Sequence, residues 1–194
     1  MVRLVFLCGV LCVLLLTTPS HQHEGQGNRQ DIVRFLNTTE KIWTWKSTST
    51  VRTICKVDIK SDINATNIAY TRSILEGRYY WTKKELRGKF FNWNSSMNTI
   101  SGSYDAVDLA TRGGRGAGVE VLHYVSANFK CAVLFILGDG RYPIRPWYDM
   151  RVWDSSTQNG PDEDCKRAFE NVTIPKERKQ SYYRGCPNAT AFMK

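Results

Sequence analysis

The sequence predicts an all-β fold: an eight-stranded antiparallel up-and-down barrel with a short N-terminal helix, a C-terminal helix and two disulfides. Three observations carry that expectation. Apolar and polar residues alternate with period two over much of the chain, as half-buried strands require. Clusters of Gly, Asn, Asp, Ser and Pro interrupt this alternation roughly every 8–15 residues, the rhythm of an antiparallel sheet closing on itself. Four cysteines remain once an apolar leader is set aside, and an even set in a secreted chain reads as a disulfide framework.

The elements follow in order. A positive start at Val2-Arg3, an apolar run from Leu4 to Leu16 and the small residues Thr17 to Ser20 read as a signal peptide over 1–20. The apolar run is shorter than the ~20 residues that span a bilayer. No later segment is both long and uncharged, so no membrane partner is expected. The remainder, 21–194, is expected to be a single domain with its barrel core over about 31–190. Residues 21–30 form a polar tail. Asp31 caps a short helix to Leu36, with Ile32, Phe35 and Leu36 as its apolar stripe. Trp43 and Trp45 then alternate with Ile42, Thr44 and Lys46. From Val51 to Ile59 the odd positions (Val51, Thr53, Cys55, Val57, Ile59) form the apolar face of a strand and put Cys55 on it.

Further strands are expected at Ile68 to Leu75, Arg78 to Trp81, Lys89 to Trp93, Thr99 to Tyr104, Val119 to Ser126, Lys130 to Leu137 and Trp147 to Trp153. Residues 111–116 read as a loop, and Gly138-Asp139-Gly140 as a turn. Pro161 and the acidic run Asp162 to Asp164 precede the basic pair Lys166-Arg167, an order that suits the helix dipole. A helix is therefore expected over about 161–170, with Cys165 and Phe169 facing the protein. A barrel of about eight strands has an interior wide enough for one small ligand.

Composition narrows the function. The chain has 194 residues, a formal net charge of +9, 42% hydrophobic and 12% aromatic content, enough for a folded core. Cys55, Cys131, Cys165 and Cys186 contain no CxxC pair, which argues against zinc and for two bridges whose pairing the spacing leaves open. Asn37, Asn64, Asn94, Asn171 and Asn188 each begin an Asn-x-Ser/Thr acceptor for N-glycosylation. No Ser/His/Asp set, HExxH or Gly-rich phosphate loop is present, so neither an enzyme nor a cofactor or metal is expected. The basic stretches Lys83-Lys84, Arg112 to Arg115 and Lys176 to Lys179 read chiefly as a solvated face, with an anionic glycan or anionic surface as a weaker contact. Nucleic acid is not expected as a partner of an exported chain, and the chain is expected to be a monomer.

An ordered set of residues carries a resemblance. Asp31 to Ile42, then Cys55, Cys131-Ala132-Val133-Leu134-Phe135, Tyr148 to Trp153 and Asp164-Cys165 to Phe169 resemble the tick salivary lipocalins, the histamine-binding protein family of the calycin superfamily. The likeness covers about 31–190. It implies an eight-stranded lipocalin barrel and the pairings Cys55–Cys186 and Cys131–Cys165. It also implies a secreted salivary protein that sequesters a small host mediator inside its barrel and so dampens inflammation and haemostasis. The general lipocalin Gly-x-Trp is absent.

The resemblance directs attention to one strand. Amine-binding members carry Cys-Asp and Glu-Leu-aromatic; here Ala132 follows Cys131, and Asp149-Met150-Arg151 takes the second place. A buried ammonium needs a carboxylate, and Arg151, two residues from Asp149, would neutralise it. The expected ligand is therefore a lipid mediator such as leukotriene B4, its acid paired with Arg151. The candidate ligand-binding residues are Asp149, Arg151, Trp153, Tyr70, Arg72, Phe91, Trp93 and Tyr104, with Lys89 a weaker candidate. Alternation alone sends Asp149 and Arg151 to solvent; the family match sends them inward, and inward is the reading taken. The alternatives are a histamine or serotonin scavenger using Asp149, and an empty barrel that inhibits a host defence protein.

Overall fold

The computed structural model describes residues 31–76, 80–93, 103–138 and 145–189. The proposed signal peptide, the tail at 21–30, the acceptor at Asn94 and the turn at 139–140 lie outside them. Helix α1 (Ile32–Leu36) is followed by eight strands: β1 (Ile42–Ser47), β2 (Ile54–Ile63), β3 (Asn67–Glu76), β4 (Tyr80–Phe91), β5 (Ala106–Thr111), β6 (Gly116–Val125), β7 (Cys131–Leu137) and β8 (Trp147–Trp153). Helix α2 (Glu163–Asn171), the short β9 (Lys179–Gln180) and α3 (Cys186–Ala189) complete the order.

Each barrel strand pairs antiparallel with the next, and β8 pairs with β1. Closure between β1 and β2 is short, resting on Ile42↔Asp58 and Trp43↔Val57. Beyond that point β1 parts from β2, and β9 takes the gap through Lys46↔Gln180 and Ser47↔Lys179. The Cys55 amide then donates to the Ser181 carbonyl at 2.8 Å, and the Ser181 amide to Trp45 at 3.0 Å. The C-terminal segment therefore fills the seam, and the Cys55–Cys186 disulfide pins it there. Cys131–Cys165 ties α2 to β7. Both pairings are those the resemblance implied.

Two apolar clusters result. One is inside the barrel, with Ile68, Phe90, Leu109, Leu122 and Leu134, and Ile32, Phe35 and Leu36 of α1 close that end as a plug. Asp31 starts α1 by accepting from the Arg34 amide, and Trp153 Nε1 holds its last turn through the Phe35 carbonyl at 3.1 Å. The second cluster is outside, where Trp43, Val57, Val133, Met150 and Val152 pack beneath Phe169 of α2, Tyr182 and both disulfides.

Three strand boundaries differ from the sequence reading. β4 is one strand of 12 residues where two short ones were expected. Its middle is charged because it reaches the open end of the barrel, where Lys83, Lys84 and Glu85 are all exposed. β5 occupies 106–111, where no strand was expected and Thr111 was read as loop; of the strand expected at 99–104, residues 99–102 lie outside the described ones, and Ser103 and Tyr104 are not in a strand. β2 begins at Ile54 rather than Val51, because residues 48–53 form the loop beside the seam.

Candidate functional site

The barrel interior is divided by a layer of charge. Asp149 and Arg151 on β8 both point inward and are 0% exposed. Arg151 makes a two-pronged contact with Glu120 of β6, Nη1 to Oε2 at 2.7 Å and Nη2 to Oε1 at 2.8 Å. It also reaches Asp58 and Asp149 at 3.3 Å each. Arg72 of β3 holds Asp58 through Nε at 2.7 Å and Nη2 at 2.8 Å, and its Nη2 lies 2.8 Å from Glu120. Lys56 of β2 donates to Asp149 Oδ2 at 2.7 Å. Three cations and three carboxylates thus interlock. The register brings two of them together directly, because Asp58 faces Arg72 across β2 and β3; the others meet through side chains that cross the barrel interior.

The network sets its own protonation. Burial alone would raise the Asp149 carboxyl, but Lys56, Arg151 and donated hydrogen bonds outweigh it and hold the group at about 2. Burial opposes the Glu120 charge too, yet Arg151 and Arg72 bring its carboxyl below the ordinary range. Lys56 moves the other way: burial lowers its ammonium, and Asp149 offsets this only in part. Asp149 is saturated, since Oδ1 accepts from Ser47 Oγ at 2.7 Å and Trp147 Nε1 at 3.1 Å while Oδ2 serves Lys56 and Arg151.

Above this layer, at the end opposite α1, lies a cavity of about 570 Å³. That volume is in the range of small-molecule sites, roughly 300–1,000 Å³. Its floor is Lys56, Arg72, Ser47 and Trp147; Ile74, Leu86 and Ala117 form walls; Lys84 and Arg115 stand at its rim. Among the described residues the lining holds four cations and no carboxylate. Lys56 commits one of its three N–H donors, and Arg72 leaves Nη1 without a hydrogen bond among the described residues. A groove of about 700 Å³ lies elsewhere, outside β3 to β5, and mixes Asp62 and Asp108 with Arg87 and Lys89.

The candidate residues scatter against this geometry. Arg72 lines the cavity. Asp149 and Arg151 lie beneath it as a sealed support. Tyr70 is buried, and its hydroxyl accepts from Arg72 Nη2 at 3.1 Å. Trp153 packs against α1 at the closed end, and Tyr104 stacks on Phe90 with centroids 6.1 Å apart. Phe91 and Trp93 form an edge-on pair, with Trp93 49% exposed. Lys89 lines only the outer groove. The sequence reading missed Lys56, Asp58 and Glu120. Their signal was a charge inside an apolar run, as in Val119-Glu120-Val121. Asn37, Asn64, Asn171 and Asn188 are all exposed, as glycan acceptors must be.

Comparisons with solved structures match this arrangement of strands. The protein AM182, in a complex with serotonin, aligns at a TM-score of 0.55 and 13% identity, over 77% of this chain and 86% of that one. Apocrustacyanin C2 aligns at 0.54 and 12% identity, over 86% of each chain. This chain has the lipocalin fold. H1 crustacyanin of the lobster Homarus americanus shares the barrel at 0.51 and 14% identity, over 80% of this chain and 82% of that one. Comparison with family models finds no match, and comparison with curated proteins finds none either. The lipocalin barrel agrees with the architecture that the tick salivary resemblance implied, and its open end holds the cavity.

Proposed function

We propose that this lipocalin is an exported, non-enzymatic scavenger that takes a small host mediator with an acidic group and an apolar body, such as leukotriene B4, into the open end of its barrel. The cationic lining carries this reading: Lys56, Arg72, Lys84 and Arg115 surround the cavity, and no carboxylate lines it among the described residues. A ligand ammonium there would meet Lys84 and Arg115, lose its hydration and find no carboxylate in the lining, whereas a carboxylate would be attracted. The two disulfides support an oxidising, extracellular setting.

The charge count also orients the ligand. The floor belongs to a network of three cations and three carboxylates, internally balanced. Lys84 and Arg115 make no ion pair with any described residue, so the acid belongs at the rim. The free donors of Lys56 and Arg72 then suit a hydroxyl or carbonyl on the deeper part of the ligand, with Ile74, Leu86 and Trp147 along its chain. The original assignment of the acid to Arg151 gives way, because that guanidinium is enclosed and already held by three carboxylates. The amine alternative weakens for the same reason, since both Asp149 oxygens are occupied.

Titration followed by quenching of Trp147 fluorescence tests this. Leukotriene B4 should bind, its methyl ester should bind at least ten-fold more weakly, and serotonin should not compete. Lys84→Ala with Arg115→Ala should weaken the acid about ten-fold or more and leave the ester unchanged. Tight serotonin binding, or full acid affinity in the double variant, would overturn the proposal.

A further inference from the structure

We infer that the open end of the barrel is also a docking face for an anionic phospholipid surface. The sequence expectation of no membrane partner rested on the lack of a spanning segment, and a peripheral face needs none. Folding brings together at one end two basic stretches that lie far apart in the chain. The segments bounding that end are 48–53, 80–85, 111–116 and 145–147. They hold Arg52, Lys83, Lys84, Arg112, Arg115 and Arg145, against Glu85 and against Glu76, which pairs with Tyr80 at the end of β3: six cations to two carboxylates among the described residues. Glu85 is itself engaged by Arg112 at 3.1 Å.

Two apolar side chains project from the same segments. Val51 is 60% exposed and Tyr80 is 78% exposed. Cations alone would suit a sulfated glycan equally well. Val51 favours the membrane: an exposed aliphatic tip gains little from a sulfated sugar chain, but gains by entering the boundary between head groups and acyl chains. A tyrosine ring with its hydroxyl outward suits that depth. Of the exposed glycan acceptors, Asn37 caps the C-terminus of α1 at the closed end of the barrel, away from this rim.

Flotation of the full mature protein tests this, using phosphatidylcholine vesicles with and without phosphatidylserine. The protein should float only with the phosphatidylserine vesicles, and release at ~1 M salt, where charge screening acts within about 3 Å. Tyr80, Arg52 and Arg145 do not line the cavity, so their variants separate docking from ligand capture. Arg52→Ser and Arg145→Ser should each weaken vesicle binding about five-fold, the equivalent of about 1 kcal/mol per cation. Tyr80→Ser should weaken it further, and all three should keep wild-type ligand affinity. Docking survives a failure of the leukotriene test, since flotation needs no ligand. Absence of flotation with phosphatidylserine, flotation indifferent to all three variants, or retention by heparin without vesicle binding would each overturn it.

Discussion

Arg151 has the environment of a structural strut. Its guanidinium has no exposed surface and contacts three carboxylates, while its Nε is buried without a hydrogen-bond partner among the described residues. Removing one member of such a network leaves opposite charges buried and unpaired. Arg151→Met should therefore cost about 3–5 kcal/mol, read as a lower urea midpoint. Acid should reach the same network through Asp149. Its carboxyl sits at about 2 in the fold against an ordinary 3.8, so the folded state binds the proton less readily than the unfolded chain. The contribution is complete above about pH 4 and lost as pH falls toward 2, amounting to about 2 kcal/mol. Urea midpoints measured between pH 5 and 2.5 should fall along that course, and Asp149→Asn should flatten the fall. From sequence, Asp149 and Arg151 could be paired by their two-residue spacing. Their partners Glu120 and Asp58 could not, because nothing local says which strands meet across a barrel.

At the scale of elements, periodicity distinguished two faces on each strand but not which of them is interior. On β2 the apolar side, with Cys55 and Val57, faces outward, and Lys56 and Asp58 face in. On β8, Met150 and Val152 likewise face outward. The usual inference fails on both because α2 and the C-terminal segment cover the outside of the wall and make it a second core. The α2 boundary was legible, since Asp162 caps it by accepting from the Cys165 amide at 2.8 Å and acidic residues fill its first turn. Gly88 on β4 illustrates packing that sequence alone does not reveal. A Cβ there would stand 2.4 Å from Val107 Cγ2 and 2.9 Å from both Ile68 and Leu109. Gly88→Ala should therefore destabilise by about 1–3 kcal/mol through overpacking, measurable as a lower melting temperature, whereas Gly113→Ala, with open space around it, should lose far less.

For the whole molecule, the strand count, the closing helix and the pairing of four cysteines followed from the sequence and its resemblance, while the charged layer and the cavity above it depended on the assembled barrel. The Cys55–Cys186 bridge spans 131 residues of chain. In the chain-entropy account a loop of that size stabilises by about 4–5 kcal/mol. Replacing both cysteines by serine should lower stability by that order, and proteolysis of the native protein should then begin in the segment around 179–186. The seam has a temporal side as well. Its filler, β9 and Ser181, leaves the ribosome only after every barrel strand has been made. Until that segment has docked, β1 and β2 are parted by a slit beside Lys56, and Cys55 stays unbridged.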